Sequence, residues 1–314
     1  MYCQLINVDI KAQLRMKMFI ASSLTVLAEA IVVLFILSFL NLSLFYAVVL
    51  LPLYWLIQWL ISPYLVLGRA KEINQNDPSY GWLYRDVEEI AKESGVRMPK
   101  VFITNDPFPN AFAFGNYVSG KRVAITKPLL DILNEDELKA VIAHEIGHIK
   151  HYDVEIGMAI GLIPSTLGFI GNFLLNIGLL QITFALDEIA LVLGFMMLAI
   201  GSVLLALTLF INVFMLWFNR LRESYADLHS VSILKENALN LARGLAKIQI
   251  YMKNVRIDPF RGIIVTVPPM KIKEENPEEL LNKWLNEKVS PFADALMTHP
   301  HPAKRVQLIY KAAS

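Results

Sequence analysis

Long apolar runs alternate with polar stretches along this chain, and their lengths set the first expectations. Residues 19–40 carry a single charge, Glu29, and residues 44–67 follow the short Asn41-Leu42-Ser43 turn with none. Residues 156–185 and 189–218 are uncharged throughout, and the link between them holds only Asp187 and Glu188 as charges. A helix needs about 20 apolar residues to cross the hydrocarbon core, so the pattern predicts four transmembrane helices in two hairpins. The last two runs are longer than a crossing requires, which argues against two buried helices of a large soluble core. The first run exceeds a signal-peptide core and lacks a small-residue cleavage site, so it reads as a retained helix. Pro52 predicts a bend in the second run, and Pro63 its close.

The intervening segments read as soluble. Residues 78–93 form a predicted helix with Trp82, Leu83, Val87 and Ile90 on its apolar side and Gly95 as a stop. Residues 101–104, 111–114 and 122–126 are short strand candidates, which together predict a small antiparallel sheet. Such a sheet either offers an edge to an extended substrate or merely supports its neighbours; the pattern leaves both open. Residues 219–244 and 271–286 have helical patterns. Residues 255–270, with Pro259, Gly262, Pro268 and Pro269, form an irregular stretch that is a candidate lid. The resulting plan is an N-terminal segment 1–17, hairpins at 18–67 and 156–218, and a soluble domain assembled from 68–155 and 219–314. Lys11, Arg15, Lys17, Arg69, Lys71, Arg220 and Arg222 all flank the runs on one side, and the two opposite loops have no Lys or Arg. That asymmetry predicts a cell-membrane protein whose N-terminus, soluble domain and C-terminus are cytoplasmic.

Composition agrees with a lipid bilayer as partner, since 55% of the residues are hydrophobic, only 18% are charged and mean hydropathy is positive. A net charge of +1 without a basic run argues against nucleic acid. Cys3 is the only cysteine, so a metal site must be built from His and carboxylate. Glu29, inside the first apolar run, is either functional or protonated and paired within the helices.

The chemistry concentrates at residues 144–148, His-Glu-Ile-Gly-His. Asn134 is a predicted N-cap, Glu135, Asp136 and Glu137 load the first turn with negative charge, and Leu138, Val141, Ile142 and Ile149 have helical spacing. On such a helix His144 and His148 lie one above the other and can turn ring nitrogens toward one Zn²⁺, with Glu145 facing the same cavity as candidate general base. The bland alternative is an accidental spacing on an amphipathic helix; with six histidines in the chain such accidents are uncommon.

A catalytic zinc takes three protein ligands and keeps a fourth position open. The extended metzincin pattern would need a histidine at position 154, which is valine. His151 shares the stripe but lies about 10 Å along the axis from His144, too far to share its metal. Glu223 and Asp227, spaced i, i+4 after the fourth run, supply a better pair: Glu223 as third ligand and Asp227 accepting the outer N–H of a ligating histidine. Read alone, the string 219–227 is a solvated charged helix with Arg–Glu pairs; the upstream motif shifts the reading to a ligand.

Residues 110–115 (Asn-Ala-Phe-Ala-Phe-Gly), the motif at 144–148, residues 222–227 (Arg-Glu-Ser-Tyr-Ala-Asp) and His299-Pro300 with Arg305 resemble the HtpX-type membrane zinc metallopeptidases, relatives of the CaaX prenyl-protein endopeptidase. The resemblance spans most of the chain, and four crossings match the HtpX branch. It implies a mainly α membrane protein with a cytoplasmic α+β, gluzincin-like peptidase domain, binding one Zn²⁺ per subunit through His144, His148 and Glu223. It further implies that Asn110 and Ala111 lie on the substrate edge and that His299 and Arg305 hold substrate or oxyanion. Substrates would be membrane proteins or peptides, cleaved in quality control of damaged or misfolded chains. Rival readings are a prenyl-protein processing protease, a protease cutting within the bilayer, and a non-catalytic zinc-binding adaptor closed by a fourth ligand such as His299 or His301. The charged run 135–139 leading into the motif favours a site at the membrane interface. His151 stands where the family commonly has a small polar residue.

Overall fold

The computed structural model of the protein describes residues 2–39, 41–67, 70–253, 255, 267, 269–270, 272–290, 294, 297 and 299–314. Helices α1 (Tyr2–Phe39) and α2 (Leu44–Leu67) come first, followed by strand β1 (Lys71–Ile73), helix α3 (Gly81–Glu93), and strands β2 (Lys100–Thr104), β3 (Ala111–Asn116) and β4 (Gly120–Thr126). Helices α4 (Lys127–Ile132), α5 (Glu135–Lys150), α6 (Asp153–Thr183), α7 (Glu188–Leu234), α8 (Leu239–Met252), α9 (Pro277–Asn286) and α10 (Pro302–Ala313) complete the order. The candidate lid at 255–270 and Arg69 fall largely or wholly outside the described residues.

The chain separates into two compact units. One holds residues 1–18, 57–156 and 219–314; the other holds residues 19–56 and 157–218. Among the described residues three helical stretches, Asp9–Phe39, Asp153–Thr183 and Glu188–Asn237, are long and apolar enough to cross a membrane, and within α2 the apolar run Val48–Ile61 is shorter. The second unit has a small core of Ala28, Val32, Leu167 and Ile211 and leaves large side chains such as Phe169, Phe195 and Leu209 exposed on its outside. That is the inverse of a water-soluble helix and what a lipid solvent demands. Glycines let α6 and α7 approach closely: a Cβ at Gly201 would stand 2.8 Å from the Gly171 carbonyl oxygen. Glu29 is buried in this unit.

The first unit is organised around α5. Asn134 caps it by accepting from the Glu137 N–H, while the Glu137 carboxylate accepts from the Asn134 N–H, a reciprocal capping box. Glu137 also takes Lys247 of α8 at 2.7 Å, tying the helix start to its neighbour. Leu138, Val141, Ile142 and Ile146 are fully enclosed in a core that also takes Leu83 and Val87 of α3, Leu241 and Leu245 of α8, Trp284 of α9 and Val306 of α10. Each such side chain contributes about 1.5–3 kcal/mol when withdrawn from water. With apolar packing on most of its circumference, α5 holds its polar motif residues inside the unit.

The sheet order is β1-β2-β4-β3, and it is mixed, which corrects the antiparallel expectation. β3 and β4 form a hairpin pairing Phe112 with Ala124, but β2 runs parallel to β4, pairing Val101 with Val123. The reason is topological: β3 leaves β2 unpaired, turns tightly into β4, and β4 then fills the place beside β2 in the same direction. Three-residue β1 pairs antiparallel with β2 and was not foreseen; its Lys-Glu-Ile carries no alternating apolar signal. β3 is left as an outer strand beside α5.

Candidate active site

Two helices supply the acceptor atoms. From α5, His144 and His148 bring their Nε2 atoms to 3.2 Å from one another, the rings meeting edge to face. From the C-terminal part of α7, Glu223 brings Oε2 to 3.5 Å from His144 Nε2 and Oε1 to 3.5 Å from His148 Nε2. Gly147 makes the approach possible: a Cβ there would lie 3.1 Å from His229 Cβ on α7. His229 is in turn held by Ser94 at 3.0 Å.

Each histidine has its other nitrogen against a carboxylate, and each carboxylate has an arginine. His144 Nδ1 lies 2.9 Å from Asp227 Oδ1, and Arg305 of α10 grips Asp227 with two N–H donors at 2.9 and 2.7 Å. His148 Nδ1 pairs with Asp153 Oδ2 at 2.6 Å, and Arg222 Nε stands 3.2 Å from Asp153 Oδ1. A carboxylate facing Nδ1 holds the proton there, which leaves the Nε2 lone pairs and the Glu223 oxygens as acceptors converging on one point. Acceptors this close repel unless a proton or cation sits among them. A tetrahedral ion with bonds of about 2.0 Å separates its ligand atoms by about 3.3 Å, which is the spacing found. The three residues therefore fit a metal ion, and they form the one such group among the described residues.

Electrostatics agrees. Burial opposes a charge on His144, yet Asp227 and Glu223 outweigh it and raise its pKa to about 10, so the position attracts positive charge strongly. Glu145 is 4% exposed, and burial pushes its carboxyl above the usual range against the pull of the two histidines. A carboxylate so poised exchanges protons nearer neutral pH. Its Oε2 accepts the Ala113 N–H at 2.9 Å. Asn110 turns its backbone toward β4, where its carbonyl accepts from Thr126 N–H. Strand alternation then turns Ala111 and Ala113 the other way, toward α5.

The remaining expected residues are distributed unevenly. His299 Nδ1 is 3.6 Å from Glu223, beside the acceptor group. Arg305 reaches 3.9 Å from Glu223 but spends its fork on Asp227. His301 caps α10, accepting from Ala303 N–H. His151 ends α5 with its ring against Tyr225 and His229, outside the acceptor group. Sequence reasoning missed Asp153 and Arg222 as supports; the signal was a carboxylate five residues past His148 and a guanidinium adjacent to Glu223. It also missed the Ala113 N–H, since a backbone group leaves no mark on residue identity.

Asp153→Ala is expected to weaken metal binding by about 10–100-fold, because the His148 ring loses the partner that fixes its tautomer. Competition against a chelating dye reads this directly, and unchanged affinity would remove Asp153 from the site.

An acceptor group open to Glu145, carried by a chain with membrane-length helices, defines a membrane metallopeptidase. The sequence model of Peptidase family M48 matches residues 79–313, and the chain belongs to that family. Protease HtpX homolog 1 of Sulfolobus acidocaldarius is 56% identical over 304 residues, 96% of this chain and 98% of the relative. The protein of the same name from Saccharolobus solfataricus is 53% identical over 303 residues, 96% of this chain and 97% of that one. The crystal structure of S. mikatae Ste24p shares the fold with a TM-score of 0.53 at 19% identity, covering 95% of this chain and 67% of that chain.

Proposed function

We propose that the chain is a four-crossing zinc endopeptidase of the cell membrane, with α2 as the fourth crossing and with its termini and active site in the cytoplasm. The observation that carries the reading is the convergence of His144, His148 and Glu223 within 4.8 Å of one another, next to Glu145 and an outer strand. Supporting the orientation, Lys11, Arg15, Lys17, Lys71, Arg220 and Arg222 flank the crossings on the peptidase side.

His144, His148 and Glu223 would hold the zinc, whose chemistry there is to polarise the scissile carbonyl and acidify water. A substrate segment aligns as an added strand along β3, its main chain pairing with backbone groups of Ala111 and Ala113 as Glu145 turns from the Ala113 N–H to the attacking water. That alignment sets the scissile carbonyl beside Glu145. Glu145 takes a proton from the attacking water and delivers it to the departing amine. Asp227 and Asp153 keep the two imidazoles in the tautomer that leaves Nε2 as acceptor, and Arg305 and Arg222 keep those carboxylates charged. The substrates are membrane proteins or peptides, and the fitting physiological task is removal of damaged or misfolded membrane proteins.

The test is proteolysis of a membrane-protein substrate by purified protein in detergent. 1,10-Phenanthroline is expected to abolish cleavage and stoichiometric Zn²⁺ to restore it. Cleavage indifferent to the chelator would defeat the metallopeptidase reading.

A further inference from the structure

The turn joining β3 to β4 has chemistry that a turn in water does not call for. Turns favour Gly, Asn, Asp and Ser, yet here Tyr117 is 85% exposed and Val118 69% exposed. The turn is nonetheless firmly built. Asn116 accepts from the N–H groups of Val118 and Ser119, and Gly115 and Gly120 take positive φ values, 103° and 85°. A Cβ on Gly115 would stand 2.3 Å from the Gly120 carbonyl oxygen, so the close pairing requires glycine. The two apolar side chains are thus held outward by a rigid frame.

That frame is fastened to the end of α2. Asn116 Nδ2 donates to the Trp59 carbonyl oxygen. Arg122 donates to the Pro63 carbonyl oxygen at 3.2 Å, and its guanidinium lies 5.3 Å from the centre of the Tyr64 ring. Trp59 is eight residues before the end of α2, about 12 Å along the axis, and α2 has no charged side chain anywhere in its 24 residues. The turn therefore lies level with an apolar stretch of α2 whose neighbours Ile57, Leu60, Ile61 and Tyr64 are themselves exposed. Tyr152, 59% exposed, extends the aromatic set, with Lys121 over its ring and paired to Glu155. Tyrosines flanking an uncharged helix, with a lysine held beside them, are the side chains that partition to the boundary between headgroups and acyl chains.

We propose that the Tyr117–Val118 turn is inserted into the lipid boundary beside α2, so that the outer strand β3 leads from the bilayer to Glu145. This rests on α2 being a crossing. Asn116 is three positions past Ala113, about 10 Å at strand rise. A peptide aligned on β3 is then cut within about that distance of the bilayer, and the substrate class narrows to chains presenting an extended segment adjoining their own membrane anchor.

The test uses full-length protein in phosphatidylcholine–phosphatidylglycerol nanodiscs. In a Cys3→Ser background, Tyr117→Cys, and separately Val118→Cys, take an environment-sensitive fluorophore; Val49→Cys in α2 and Glu236→Cys serve as references. The expected result is blue-shifted emission from the probes at 117 and 118, quenched by nitroxide-bearing lipid and shielded from aqueous iodide, as at position 49. Turn probes that follow position 236 while position 49 is lipid-quenched overturn the insertion alone. A position 49 that is open to iodide overturns α2 as a crossing, and the insertion with it.

Discussion

Glu145→Gln is expected to lower peptide hydrolysis by about 10²–10⁴-fold while leaving one metal ion per chain. The replacement keeps the shape of the side chain and an oxygen able to accept the Ala113 N–H, now made at 2.9 Å. What it removes is the basic oxygen that takes the proton from water. Metal content should be unaffected, because Glu145 is outside the acceptor group of His144, His148 and Glu223. The loss should therefore appear in kcat with little change in KM, since substrate alignment along β3 uses backbone groups. Elemental analysis beside single-turnover cleavage separates the two quantities. A variant that cleaves at the normal rate would dismiss Glu145 as base, and one that has lost its metal would make it a ligand instead.

The second large effect concerns Arg305, which the structure sets against Asp227. It is 2% exposed and forks onto Asp227, which is fully buried. Arg305→Ala leaves that carboxylate with His144 but without its guanidinium, and breaking a buried pair in this way costs up to about 3–5 kcal/mol. Removing Asp227 as well should recover part of the loss, because no isolated charge then remains. Arg305→Lys should fall between, since an ammonium keeps the charge but cannot reproduce two parallel donors. Thermal unfolding of Arg305→Ala, Asp227→Ala and the double variant beside the wild type, in detergent, closes the cycle. A wild-type melting temperature for Arg305→Ala would show that Asp227 does not depend on it.

The parts of the site that were legible in the sequence are those fixed by one helical repeat. His144 and His148, and again Glu223 and Asp227, are four apart, so each pair follows from helix geometry once the helix is granted. Asn134 was readable as a cap for the same reason: its side chain and that of Glu137 act locally. The apolar runs were readable because lipid tolerates few exceptions, although α1 begins at Tyr2, well before its apolar stretch, and α7 continues through its charged turns to Leu234. What escaped depended on relations between elements. The parallel pairing of β2 with β4 depends on which strand leaves its place open, and β1 is too short for a periodicity. Asp153 lies past the break at Tyr152, whose φ of 58° starts a new helix, so no single repeat connects it to His148. Arg222 reads as a solvated charge until Asp153 is set beside it.

The arginine braces have a consequence for how the protein comes into being. The centre draws on residues from His144 to Arg305, with Asp153 opening one long helix and Arg222 near the end of the next. A ribosome making this chain must therefore translate both of those helices, and go on through residue 305, before the last guanidinium can close. Until then Asp227 is without its arginine partner, and the support behind the His144 ring is incomplete.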